Sequence, residues 1–108
     1  MNIKLNKARL EALHVIVGAA LHTFPPISMS DKLLYEIVDK INDRMRDKIR
    51  KATYNNQVGW GLKLNSVEAK AYYVWFNAIS DRVQLAEHYR YESIIARDIV
   101  NLIDKEYG

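Results

Sequence analysis

Along the chain the apolar positions fall into four helical stretches, separated by polar or proline-containing breaks. From about residue 6 to 22, Leu10, Leu13, Val17 and Leu21 recur every three or four positions, and Ala12, Ile16, Ala19 and Ala20 broaden the stripe. Lys7, Glu11, His14, Gly18 and His22 form a narrow polar line opposite. The first helix is therefore expected to be buried over more than half its girth, with that line facing solvent. Pro25 and Pro26 end it, because neither carries an amide proton and Pro25 excludes Phe24 from helical backbone.

A second helix is expected over about residues 30 to 53, with Ser28 or Ser30 as its N-cap and Asp31 adding favourable charge in the first turn. Its single stripe runs Leu34, Ile37, Val38, Ile41, Met45, Ile49, and the positions between are polar or charged. The segment 55 to 64 places two glycines around Trp60 and has no helical period, which reads as a loop of about ten residues with room for a short extended piece.

Asn65 followed by Glu68 matches a capping box and opens a third helix, expected over 65 to 88. Its seam is Ala69, Tyr72, Phe76, Ile79, Val83, Ala86, with Phe76 and Ile79 expected in the densest core. A second stripe, Val67, Ala71, Val74, Ala78 and Leu85, predicts contacts on two sides and a central place in the bundle. The seam loses phase between His88 and Tyr91. A fourth helix then runs over 91 to 106 on Tyr91, Ile95, Ile99 and Leu102, with Ile94 and Ile103 beside them. The alternative, one rod of ~40 residues, would be about 60 Å long. The pattern thus predicts an all-α, single-domain, up-and-down four-helix bundle.

Composition narrows the chemistry. The 108 residues include no cysteine, which excludes disulfides, cysteine-ligated metal centres and a cysteine nucleophile. No run of ~18 apolar residues exists to cross a bilayer. Glu11 and His14 interrupt the apolar run that follows Lys4, Lys7 and Arg9, so the amino-terminal stretch reads as a helix of a cytoplasmic protein rather than a leader. Glu11 and His14 have the spacing by which one helix offers a carboxylate and an imidazole to a metal, but a second such pair is missing. His88, between Glu87 and Glu92, has no nucleophile to serve and suits a helix end. Gly59-Trp60-Gly61 lacks the spacing of a phosphate-binding loop. A non-enzymatic protein without a cofactor is the expectation.

Charge and aromaticity supply the remaining hints. The net charge is +3, and residues 1 to 54 carry ten basic and six acidic side chains against six and seven in the rest. Within the second helix Lys40, Arg44, Lys48 and Lys51 step by four, four and three and form one row, a candidate nucleic-acid surface. Glu36, Asp39, Asp43 and Asp47 lie close by, and a salt-bridged solvent face accounts for the row more economically. Seven tyrosines and two tryptophans against two phenylalanines suit positions with one dry and one wet side, so Trp60, Tyr73 and Trp75 are candidates for a subunit interface. Two classes follow: an interaction module that forms a homo-oligomer or binds a protein partner, and a weak nucleic-acid-binding accessory protein.

Overall fold

The computed structural model describes residues 1–54, 59–80 and 90–108, and for residues 53 and 54 the backbone course alone. Among the described residues there are four helices: α1 (Lys7–Thr23), α2 (Met29–Tyr54), α3 (Ser66–Ile79) and α4 (Arg90–Tyr107). Three of them start on side-chain caps, those of α2 and α3 as expected and that of α1 in addition. Asn6 Oδ1 accepts from the Arg9 amide at 2.9 Å. Ser28 Oγ accepts from the Asp31 amide at 3.0 Å while Asp31 reaches back to the Ser28 amide at 3.3 Å, so Ser28 rather than Ser30 caps α2. Asn65 and Glu68 form the reciprocal capping box at 2.8 and 2.9 Å. At the other end of α1, the Phe24 amide closes on the Ala20 carbonyl just before the prolines.

The helices pack in a ring, α1 on α2 and α4, α3 on α2 and α4, with neighbours antiparallel. Arg9 meets Asp98, Arg44 meets Glu68, and Tyr73 meets Asp104, pairings that fix the up-and-down order. α3 therefore shares the centre with its three companions instead of occupying it. The core is one cluster that takes Leu10, Leu13, Ile16 and Val17 from α1, Val38, Ile41 and Met45 from α2, Tyr72, Trp75, Phe76 and Ile79 from α3, and Ile95, Ile99 and Ile103 from α4. α3 and α4 are distinct antiparallel elements, and the longest extent of 40 Å excludes the single rod. The expected continuation of the third helix to residue 88, with Val83, Leu85, Ala86 and His88, lies outside the described residues.

Four features depart from the pattern reading. First, Asn2–Ile3 (β1) pairs antiparallel with Leu62–Lys63 (β2), in the register Asn2 with Lys63 and Ile3 with Leu62. The short extended piece expected in the 55 to 64 loop is β2, and its partner is the amino-terminal stretch. Second, the middle of the polar line of α1 faces α2, while Lys7 and His22 at its ends are exposed: His14 Nδ1 lies 2.9 Å from Asn42 Oδ1, and a methyl group on Gly18 would stand 3.3 Å from the Asn42 amide nitrogen. A polar pair satisfied across the helix contact makes this arrangement tolerable. Third, α4 is rotated, so that Ala96 and Val100 are buried while Tyr91, Ile94 and Leu102 are exposed. The Tyr72 hydroxyl, bonded to the Ala96 carbonyl at 2.9 Å, and Arg97, over the Phe76 ring, lock that rotation. Fourth, Val67 and Val74 of the second α3 stripe are 63% and 51% exposed, because α3 has neighbours on only two sides of the ring.

Candidate functional site

The second-helix row does not present itself as one surface. Lys40 and Lys51 are exposed, Lys48 is half-buried, and Arg44 is engaged. One Arg44 guanidinium nitrogen donates to Glu68 Oε2 at 2.5 Å and another to the Lys63 carbonyl at 2.8 Å, so this side chain ties α2 to the start of α3. The expected pairing along α2 occurs at Arg46, which meets Asp43 at 3.4 Å and Asp47 at 3.6 Å.

What the fold adds is a gathering of charge at one end. The ribbon β1–β2, the start of α1, the end of α2, the start of α3 and the end of α4 all lie there. Segments 1–9, 44–54, 59–70 and 101–108 hold eleven Lys and Arg against four Asp and Glu. The other described residues hold four against seven. The sequence reading divided the charge by halves of the chain, and the bundle divides it by ends, because antiparallel helices bring alternate termini together.

Alternation explains the ribbon's two faces. Ile3, Leu62 and Leu64 turn into the core, while Asn2, Lys4 and Lys63 remain outside. The pairing extends outward through the Met1 amine to the Leu64 carbonyl at 2.7 Å and the Leu64 amide to the Met1 carbonyl at 2.9 Å. A side chain at Gly61 would bring its Cβ to 3.1 Å from the Ile3 carbonyl, which accounts for glycine there. Beside the ribbon runs an open groove of about 270 Å³ whose polar lining is Asn2, Lys4, Lys48 and Lys63.

Among the described residues, the opposite end carries exposed apolar side chains. Phe24, Pro25, Pro26, Ile27, Leu34, Tyr35 and Trp75 line a cleft of about 140 Å³; Ile27 is 84% exposed, and Met29 and Leu33, on the outer side of α2, are 81% and 59% exposed. None of these three was singled out as an interface residue. Ile27 and Met29 lie in a linker and first turn, where no helical period marks them, and Leu33 sits off the α2 stripe.

Of the three aromatic candidates, Trp75 is only 5% exposed and packs against Tyr72 and Phe76 at ring-centroid distances of 6.1 and 6.3 Å. Its surface is covered within the chain. Trp60 and Tyr73 are half-buried against the core, and the Tyr73 hydroxyl donates to Asp104 at 3.2 Å. Glu11 and His14 are half-buried, His14 against Asn42 of α2, and among the described residues no three His, Asp or Glu side chains form a metal-binding group. His88 lies outside the described residues. Burial raises the Tyr72 phenol far above its ordinary pKa, with the nearby Arg97 charge opposing, so Tyr72 keeps its proton and donates it to the Ala96 carbonyl.

Among the described residues no helix is long and apolar enough to cross a membrane. No family model, no curated protein sequence and no solved structure matches the chain.

Proposed function

We propose that the protein is a non-enzymatic interaction module of the cytoplasm that self-associates through its proline end. The observation that carries this reading is the exposure of three large apolar side chains within seven positions of the chain, Ile27 at the rim of the Phe24–Tyr35–Trp75 cleft and Met29 and Leu33 on the outer side of α2. Large apolar side chains left in water side by side mark contact surfaces, whereas single ones carry no such meaning. Met29 and Leu33 are one turn apart on the outer side of α2, with Lys32 and Glu36 next to them. Two copies of this turn packed antiparallel about a two-fold axis would bury both apolar pairs and set Lys32 of each copy against Glu36 of the other. The interface therefore moves from Trp60, Tyr73 and Trp75 to Ile27, Met29 and Leu33.

Sedimentation velocity at rising concentration tests the reading. The wild type is expected to move from monomer to dimer through the micromolar range. Ile27→Asp with Leu33→Asp should remain monomeric at every concentration with its helical circular dichroism unchanged, since both side chains are exposed in the monomer. A wild type that stays monomeric at high micromolar concentration overturns the proposal.

A further inference from the structure

We propose that the ribbon end binds nucleic acid along its phosphate backbone, through Lys4, Lys48, Lys51 and Lys63. This inference is independent of self-association, which uses the other end. Lys4, Lys48 and Lys63 line one groove although they come from three segments, the stretch following β1, α2 and β2. Lys51 follows Lys48 by one turn and is exposed. Among the described residues the ion pairs are made by Arg9, Arg44 and Arg46, and none of these four lysines takes part. Glu68, the nearest acid on α3, already accepts from Arg44.

A favourable helix dipole accounts for a cation in the last turns of α2, where Lys48 and Lys51 lie. It does not account for Lys4 and Lys63, which stand on the ribbon and belong to no helix. Their juxtaposition with Lys48 is a product of the β1–β2 register, which turns Ile3 and Leu62 inward and leaves the lysines outside. The charge excess of this end, facing a deficit at the other, would also orient the molecule in the field of a polyanion with the ribbon leading.

The partner's class follows from what the groove lacks. Protein interfaces are anchored by aromatic and apolar side chains and are poor in lysine. Here Ile3, Leu62 and Leu64 are buried, and the exposed side chains of the ribbon are asparagine and lysine. Such a surface gains little from an acidic protein segment beyond charge, whereas a phosphate backbone is held by charge and counterion release alone.

Fluorescence anisotropy with a labelled oligothymidine and a labelled duplex of mixed sequence, titrated at several salt concentrations, decides the matter. Four phosphate contacts predict a slope of log K against log salt of about −3.6 on duplex and about −2.8 on single strand. Lys4→Gln with Lys63→Gln, both at exposed ribbon positions, should reduce the slope by about two charges and the affinity by roughly tenfold or more at low salt. Adding Lys48→Gln should weaken binding further, with circular dichroism checking that the half-buried position tolerates the change. Arg90→Gln, at the opposite end, should bind as the wild type does. Absence of binding at low salt, an unchanged slope in the Lys4 and Lys63 double variant, or equal competition by polyglutamate of matched charge would each overturn the proposal. So would binding to phosphatidylserine vesicles in preference to both oligonucleotides.

Discussion

At the ribbon end, Ile3, Leu62 and Leu64 point inward and the backbones that carry them bond to each other; at the proline end, the linker between α1 and α2 leaves Ile27 and Met29 in solvent. The two ends differ because the two connections obey different local rules. A strand pair alternates its side chains and exchanges amide hydrogen bonds, so it lays an apolar face over the core and satisfies its backbone at once. Pro25 and Pro26 have no amide proton to exchange, and their fixed backbone turns the chain quickly into the Ser28 cap of α2. That turn is efficient, but it leaves no alternation by which Ile27 and Met29 could both face inward. Among the described residues, one end of this bundle is closed by residues far apart in sequence, and at the other Ile27 and Met29, close together in the chain, stay exposed.

The sharpest way to break the comparison is to truncate one apolar side chain at each end. Leu64 is 1% exposed beneath the ribbon, and Leu64→Ala should cost ~2 to 5 kcal/mol by lost burial and a residual cavity. Met29→Ala, by contrast, should change the monomer's stability by no more than about 0.5 kcal/mol. Urea denaturation at a concentration low enough to keep the wild type monomeric measures both. Equal losses would mean that the proline end is sealed as well.

A second test lies between the ends, where Tyr72 of α3 donates its buried hydroxyl to the Ala96 carbonyl of α4. Tyr72→Phe should cost ~0.5 to 1.5 kcal/mol at neutral pH. It should also change how stability responds to alkali. In the unfolded chain the phenol ionises near its ordinary pKa of 10.0, whereas burial holds the proton on in the folded protein to far higher pH. The unfolded state therefore releases a proton that the folded state keeps. The stabilisation is complete below about pH 10 and is lost as pH rises beyond it, by roughly 1 kcal/mol at about pH 11. Denaturation midpoints followed from pH 9 to pH 11, with the phenylalanine variant as reference, should show that additional fall only in the wild type.

How far each region was legible follows from the same distinction. Helix starts depend on neighbours three residues apart, so the Asn65–Glu68 box and the Ser28–Asp31 pair can be recognised in the sequence. The seam Ala69, Tyr72, Phe76, Ile79 is equally local, and all four side chains are buried. β1 is two residues long and its partner is some sixty positions away, which no local period can announce. The basic row on α2 was legible as a row, but Arg44's engagement with Glu68 and the Lys63 carbonyl was not, nor was the approach of Lys4 and Lys63 to Lys48. Those depend on the antiparallel return of the chain. The rotation of α4 was missed for a related reason: Ile94, Ile95, Ile99, Leu102 and Ile103 span more of the helix than one face can hide, and the choice among them is made by Tyr72 and Arg97 on the neighbouring helix contact.

The smallest expected effect separates the cations that hold the ribbon end together from those that are free to bind. Arg44 and Glu68 lie in contact near the protein surface, the arginine side chain 46% exposed, and such pairs contribute between nothing and ~1 kcal/mol. Removing both charges together, as Arg44→Gln with Glu68→Gln, leaves the net charge of this end unchanged, and glutamine at the third position of α3 still answers the Asn65 cap. The double variant should therefore lose no more than about 1 kcal/mol in urea denaturation. Its affinity for an oligonucleotide and its salt slope should match the wild type's, because the Arg44 guanidinium is already committed to Glu68 and to the Lys63 carbonyl. A slope that falls by about one charge in this variant would mean that Arg44 leaves Glu68 to meet phosphate, and the division between structural and available cations would have to be redrawn with Arg44 in the binding set.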